Sequence, residues 1–366
     1  MASLADLTLV IPAYNRPAYL ERQIDFWSAT DVQLCILDGS KDSAPQSLID
    51  RMGPSVYYRH LPIGFNERLV MACELVQTKY VALLGDDELY APHGLQDCID
   101  TLEADSRLIA CVGRTLYFFE RDGEIFGNQV YEKSKNLVHA FGSDIDRLNE
   151  SLVDIERGPY LLYGLFKSSE WKKTVRVSYG RKYSSGYVYE LAFHMIATLL
   201  GPTQMVESLV WMRSGENPAM SSDAVNRKIG IGEWGTDERF VDEFTYFVDA
   251  IVDVVVSEGR LTKAQLQDTL LHAAQGFVNY SLHKPRRPIA YWHRALYFVA
   301  RRTPRFLKQL LKRNMPTMLG TALDYRGVPM AEAVAEMQGR GIASNAQEML
   351  GLENFLLSFH NKLRDN

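Results

Sequence analysis

The sequence predicts an α/β protein: a Rossmann-like, largely parallel sheet in the first two thirds of the chain, followed by a mainly helical extension. Three observations predict it. Over residues 8–100, short apolar runs alternate with helical spacings in the order strand, helix, strand, strand, helix, strand. The runs at 32–37 and 81–84 both stop at acids, Asp38 in one case and Asp86, Asp87 and Glu88 in the other. From about residue 236 the spacing turns helical with few breakers. The expected division is therefore 1–235 for the α/β domain and 236–366 for the helical domain or extension.

The elements follow in order. Residues 8–11 form an apolar strand broken by Pro12, and a polar loop carries Tyr14 and Arg16. Tyr19, Leu20, Ile24 and Trp27 fall on one face of a helix over 18–28. Strands at 32–37 and 56–60 come next, then a helix over 66–77 that holds Arg68, then the strand at 81–84. In a parallel sheet, Asp38 and the acids at 86–88 share one edge, the carboxyl edge where open α/β sheets bind ligands. A hairpin is expected over 118–131 and a short helix over 143–152. Residues 158–167 read as a turn and strand, 191–200 as a helix and 210–218 as a strand running into a polar loop.

A buried strand ending in carboxylates suits a hard divalent cation. Mg²⁺ or Mn²⁺ takes one or two such groups and completes its shell with water and substrate phosphates. The plain alternative is that the acids at 86–88 decorate a solvated turn.

Val10-Ile-Pro-Ala-Tyr-Asn-Arg16, Asp38-Gly-Ser40, Gly64 before a helix and Leu83-Leu-Gly-Asp-Asp-Glu88, in this order and spacing, resemble family 2 glycosyltransferases of the GT-A fold. The resemblance is strongest over the first 100 residues and continues more weakly to about 220. It implies a nucleotide-diphosphate sugar donor, transfer to a glycan or lipid-linked acceptor, usually with inversion, and a Mn²⁺ or Mg²⁺ cofactor. It also implies that Pro12, Tyr14, Arg16, Asp38 and Asp86 line the donor nucleotide, and that Asp87 or Glu88 reaches the metal. Glu88 stands in the last acidic place of the family's Asp-x-Asp pattern. The family often directs a polar side chain toward the nucleotide at the position of Arg68; the alternative is an exposed helical arginine.

The acceptor side is expected after residue 158. In the family an acid opening a helix after a glycine-containing loop is the catalytic base, and Glu190 matches that setting; a helix-dipole role is the alternative. Asp223 is the second candidate. His194, one helical turn after Glu190, is either a further metal ligand or a packed residue. Arg213 has the planar fork that suits a diphosphate leaving group, or it forms a surface ion pair. Gly215, Asn217, Ser221 and Ser222 suggest a loop able to close over the donor.

Composition narrows the classes. A net charge of −5 over 366 residues argues against general nucleic-acid binding. No stretch approaches 18 uncharged apolar residues, and the apolar start is too short for a signal peptide, so a cytoplasmic enzyme, peripheral at most to the membrane, is expected. The four cysteines lack paired spacing and read as reduced core thiols. Residues 283–313 carry Arg and Lys interleaved with aromatics and no acid, a pattern attracted to an anionic bilayer surface. A subunit interface, a packed helix pair or an acidic acceptor would use the same residues. Two other functions compete: a sugar-phosphate nucleotidyltransferase, for which no early Gly-rich loop is found, and a catalytically silent nucleotide-sugar binding module.

Overall fold

The computed structural model describes residues 2–131, 143–148, 161–217, 229–257, 262–283 and 327–365. Ten strands among them join in one mixed sheet: β1 (Leu7–Ile11), β2 (Gln33–Asp38), β3 (Val56–His60), β4 (Tyr80–Leu83), β5 (Leu89–Tyr90), β6 (Ala110–Arg121), β7 (Glu124–Val130), β8 (Leu165–Lys167), β9 (Thr203–Ser214) and β10 (Val328–Pro329). The order is β10-β7-β6-β8-β4-β1-β2-β3, with β9 pairing β6 and β5. Strands β4, β1, β2 and β3 are parallel, so Asp38 and the acids after β4 emerge at one edge, as expected. Antiparallel strands β8, β6 and β7 extend the sheet on the β4 side.

The uninterrupted apolar character of β1 and β2 has a simple cause. Val10, Cys35 and Leu37 enter one core, while Leu9, Ile11, Leu34 and Ile36 enter the other. Both faces of these strands are buried, so the alternation typical of a one-sided sheet disappears. One face is covered by α1 (Pro17–Trp27) and α4 (Pro92–Ala104). The other is covered by α3 (Phe65–Leu75), α5 (Ser168–Tyr179), α6 (Gly186–Leu200), α8 (Val241–Ser257) and α9 (Lys263–His283); the short α2 (Gln46–Ile49) precedes β3, and α7 (Ile231–Thr236) precedes α8. All four cysteines are buried and free.

Three features go beyond the sequence reading. First, β6 and β9 are each 12 residues long and pair in parallel, so the expected hairpin and late strand are parts of a much larger ladder. Second, packing continues across 235/236: Trp234 lies 5.5 Å from Phe247, ring centre to ring centre, in the core that also holds α6. Third, α10 (Met330–Gly339) and α11 (Ala346–Asp365) pack on the outer strands, burying Met330, Val334, Leu352 and Leu356 against Leu116, Phe118 and Ile125. The expected helix over 143–152 is described only at 144–148. Most of the basic segment 283–313, and Asp223, lie outside the described residues.

Candidate active site

The site is built at the carboxyl ends of β1, β2 and β4. Helix α1 begins with Pro17 at its first position, where no amide is needed. It buries Leu20, Ile24 and Trp27 as its spacing requires, but it also buries Arg22 and Gln23. Both polar side chains serve the acidic turn. Gln23 Nε2 donates to the carbonyls of Asp86 (3.0 Å) and Glu88 (2.6 Å), and Trp27 Nε1 donates to Gln23 Oε1 at 3.0 Å. Arg22 Nη2 donates to the Asp87 carbonyl at 2.5 Å, and its Nη1 pairs with Glu216 Oε2 at 2.8 Å. A buried amide and a buried guanidinium thereby satisfy main-chain acceptors that a tight turn would otherwise leave unpaired.

The three acids are treated differently. Asp86 is 2% exposed. Burial pushes its pKa up to about 6, against the opposing pull of Arg16. Arg16 Nη1 lies 2.9 Å from Asp86 Oδ1 and 3.2 Å from Asp87 Oδ2. Asp87 is the more open of the pair, and Asn217 Nδ2 donates to its Oδ2 at 3.0 Å. Glu88 turns inward instead: its Oε2 accepts from Trp211 Nε1 at 3.2 Å and from the Gly85 amide at 3.3 Å. Burial, and then the Asp87 charge, push the Glu88 pKa up to about 8.

Glu88, read from the sequence as a possible metal ligand, is here engaged by the Trp211 indole and the Gly85 amide. Burial favours the protonated form of this carboxyl. Among the described residues, no three His, Cys, Asp or Glu side chains form a metal-binding group. His194 lies on α6 and is 8% exposed. The residues that fit a cation are Asp86 and Asp87, because a guanidinium already sits between their carboxylates. Two carboxylates suffice for Mg²⁺ or Mn²⁺ when diphosphate oxygens complete the shell.

At the nucleoside end, Asp38 accepts from the Ser40 amide at 2.9 Å and from the Tyr58 hydroxyl at 2.9 Å. The Asn15 amide donates to Ser40 Oγ at 2.7 Å, tying the loops after β1 and β2 together. Pro12 is buried at the end of β1, and the Tyr14 ring is 44% exposed beside this seam. Arg68 is not an exposed helical arginine. It is 2% exposed and its Nη1 donates to the carbonyls of Ala13 (2.6 Å) and Leu37 (2.7 Å). A Cβ at Gly39 would approach Arg68 Cζ to 2.4 Å, so glycine there leaves room for the guanidinium beneath the loop. Burial lowers the Arg68 pKa, while Asp38 and Asp86 raise it. Arg68 therefore braces the floor of the site.

On the other side of the acids, Trp211 stands in an aromatic stack, 4.3 Å from Tyr163 and 6.3 Å from Tyr131 between ring centres. Arg213 donates to the Tyr131 hydroxyl and lies 5.9 Å from the Trp211 ring centre, where its charge bears on Glu88. Glu190 is half-buried in the fifth position of α6, which begins at Gly186, so it does not open the helix as expected. Its charge and that of Glu88 both act on Tyr163.

The sequence reading missed Arg22, Gln23, Trp211, Glu216 and His360. Glu216 is buried, with Arg22 on one oxygen and His360 of α11 on the other. Burial would raise its pKa, but His360 and Arg22 outweigh burial and lower it. The one available signal was Arg22-Gln23 beside Ile24 on the apolar side of α1.

Residues 8–149 match the family described as Glycosyl transferase family 2. No curated protein matches the chain. A crystal structure of Staphylococcus aureus TarS 1–349 with UDP-GlcNAc superposes with a TM-score of 0.50 at 11% identity, covering 91% of this chain and 92% of that one. The same protein with UDP gives 0.47 at 12% identity, covering 91% of each chain. Glucosyl-3-phosphoglycerate synthase from Mycobacterium tuberculosis, with phosphoglyceric acid, gives 0.38 at 14% identity over 67% of this chain and 79% of that one. The family match covers the strands that carry the acids and the architecture is that of the GT-A fold, so this part of the chain is similar to the family 2 glycosyltransferases.

Proposed function

We propose that the protein transfers a sugar, with inversion, from a nucleotide-diphosphate donor to a hydroxyl of a glycan or lipid-linked acceptor. The observation that carries this reading is the convergence of Asp38, Asp86 and Asp87 at the ends of parallel strands. Asp38 and Tyr14 receive the nucleoside over the floor braced by Arg68. Asp86 and Asp87 hold Mn²⁺ or Mg²⁺, which when bound neutralises the diphosphate and helps it leave. On donor binding, Arg16 exchanges its carboxylate partners for phosphate oxygens, to which its planar fork is suited. Arg213 stands on the opposite side of Glu88 as a second cation for the leaving group. Glu190 takes the proton of the acceptor hydroxyl as that oxygen attacks the anomeric carbon from the face opposite the diphosphate. The TarS fragment of the same fold is complexed with UDP-GlcNAc, a donor of the class proposed here.

Assembly of a bacterial-type surface glycan at the inner face of a membrane fits such an acceptor, with residues 283–313 docking on anionic lipid. Among the described residues, no helix is long and apolar enough to cross a bilayer. The test is a thermal-shift panel of nucleotide sugars with Mn²⁺ and with EDTA. A matching donor raises the melting temperature by mass action only with the metal. If no nucleotide sugar stabilises the protein under either condition, the reading fails.

A further inference from the structure

A cavity of about 440 Å³ lies between the ends of β6 and β9, the start of α1, and α11. Its lining is Tyr19, Tyr117, Phe119, Glu120, Gly215, Glu216 and His360. None of the roles above uses this space. We propose that it is a saccharide subsite on the acceptor side of the reaction, an inference that rests on the transferase reading.

The chemistry of the lining selects the ligand class. Tyr19, Tyr117 and Phe119 contribute ring surface to a lining that is mainly polar, and the C–H surface of a sugar can rest on such rings. The Glu120 carboxylate and the tyrosine hydroxyls offer hydrogen-bond partners for sugar hydroxyls. No aliphatic side chain lines it, so a lipid tail has little to bury against. A neutral, hydroxyl-rich ring satisfies both kinds of surface.

The walls are held in place before any ligand enters. Arg22 and His360 grip Glu216, and Glu120 accepts from the Gly123 amide at 2.7 Å and from Arg364 at 3.0 Å. The Arg22 guanidinium lies between the Tyr19 and Phe359 rings, 4.6 and 4.7 Å from their centres. A Cβ at Gly215 would approach Tyr117 Oη to 2.0 Å, so only glycine lets that ring stand where it does.

Location links the cavity to the transfer site. Asn217 follows Glu216 directly, and its side-chain amide donates to Asp87 Oδ2 at 3.0 Å. One residue therefore separates the cavity wall from a carboxylate of the proposed cation site. A sugar seated there belongs to an acceptor that extends past the donor diphosphate.

The experiment is saturation-transfer NMR on the whole chain, with the methyl glycosides of glucose, galactose, mannose and N-acetylglucosamine as probes. At least one is expected to receive saturation from the native protein. Phe119→Leu and Tyr117→Leu should each weaken that binding about fivefold, the scale of one aromatic contact. Both side chains are partly exposed, and melting curves establish that each variant is folded. No transfer to any probe, or transfer unchanged in both folded variants, overturns the proposal. A nucleotide-sugar thermal shift on the same native sample keeps the two readings apart. Saccharide binding lost in the variants without any donor shift would retain the cavity and sink the transferase reading; a donor shift with no saccharide binding would do the reverse.

Discussion

The side-chain amide of Asn217 donates to Asp87 Oδ2 at 3.0 Å, so the loop that leaves β9 is fastened to the acid at the end of β4. These residues are 130 apart in sequence. The contact orients the most exposed acid of the 86–88 turn, Asp87, whose Oδ2 also lies 3.2 Å from Arg16. Asp87→Ala should abolish Mn²⁺-dependent stabilisation by a nucleotide sugar. Asn217→Ala should lower the apparent Mn²⁺ affinity about tenfold, the scale for losing an outer-shell partner. Mn²⁺ titrations at saturating donor read both; equal affinities for native protein and Asn217→Ala would sever the link.

Glu190→Gln keeps the shape of the side chain and removes its basicity. Transfer to acceptor should fall by roughly 10²–10⁴, while donor affinity stays near native. Steady-state kinetics beside a donor-binding isotherm separate these quantities. Undiminished transfer would shift attention to Asp223.

Arg22 has no exposed side-chain surface and pairs with the buried Glu216. Removing one partner of a buried pair leaves the other uncompensated, so Arg22→Met should cost about 3–5 kcal/mol in urea unfolding. The double variant Arg22→Met/Glu216→Gln should be more stable than the sum of the two single losses predicts. Strict additivity would mean the two groups are not coupled.

Acid sensitivity follows from the lowered pKa of Glu216. A carboxyl whose folded pKa lies below its unfolded value stabilises the fold in full above the ordinary glutamate value of 4.5. That contribution shrinks as pH falls below this value and is gone below the folded pKa. Glu216→Gln should therefore be less stable than native at pH 7, and the gap should close as the solution is acidified. A gap independent of pH would assign the loss to packing rather than to charge.

If residues 283–313 dock on lipid, native protein should bind anionic vesicles at low salt and release them as salt rises. Replacing Arg301, Arg302, Arg305 and Lys308 with Gln should remove that binding, and neutral vesicles should bind poorly at any salt. Co-sedimentation reads all three. Failure of the native chain to bind anionic vesicles at low salt would remove the membrane from its function.

The parallel half of the fold was legible because local signals agreed there: apolar runs, turn residues and acids recur in one order, and β1, β2 and β4 place Asp38 and Asp86 as that order requires. The length of β6 and β9 was not legible, because their pairing joins residues about 90 positions apart and leaves no local mark. The same limit applies within the site. Asp86, Asp87 and Glu88 are indistinguishable as letters, yet Trp211 captures the third and Asn217 the second. Arg68 reads as an ordinary helical cation until the carbonyls of Ala13 and Leu37 are brought around it. His360 carries no motif, and only the docking of α11 gives it Glu216 as a partner.

The short strand β10 pairs with β7 through Val328↔Gly127 and Pro329↔Phe126, and it leads into the two helices that bring His360 to Glu216. A ribosome releases residue 126 some two hundred residues before residue 329. Until then the open edge of β7 has no neighbour and Glu216 lacks one of its two partners. The catalytic strands can thus assemble early while the loop that steadies Asp87 waits for the last helix. From the synthesis of Glu216 until α11 is made, a nascent chain would hold an incomplete acidic site, and a nick between β10 and α11 would return the folded protein to that unfinished condition.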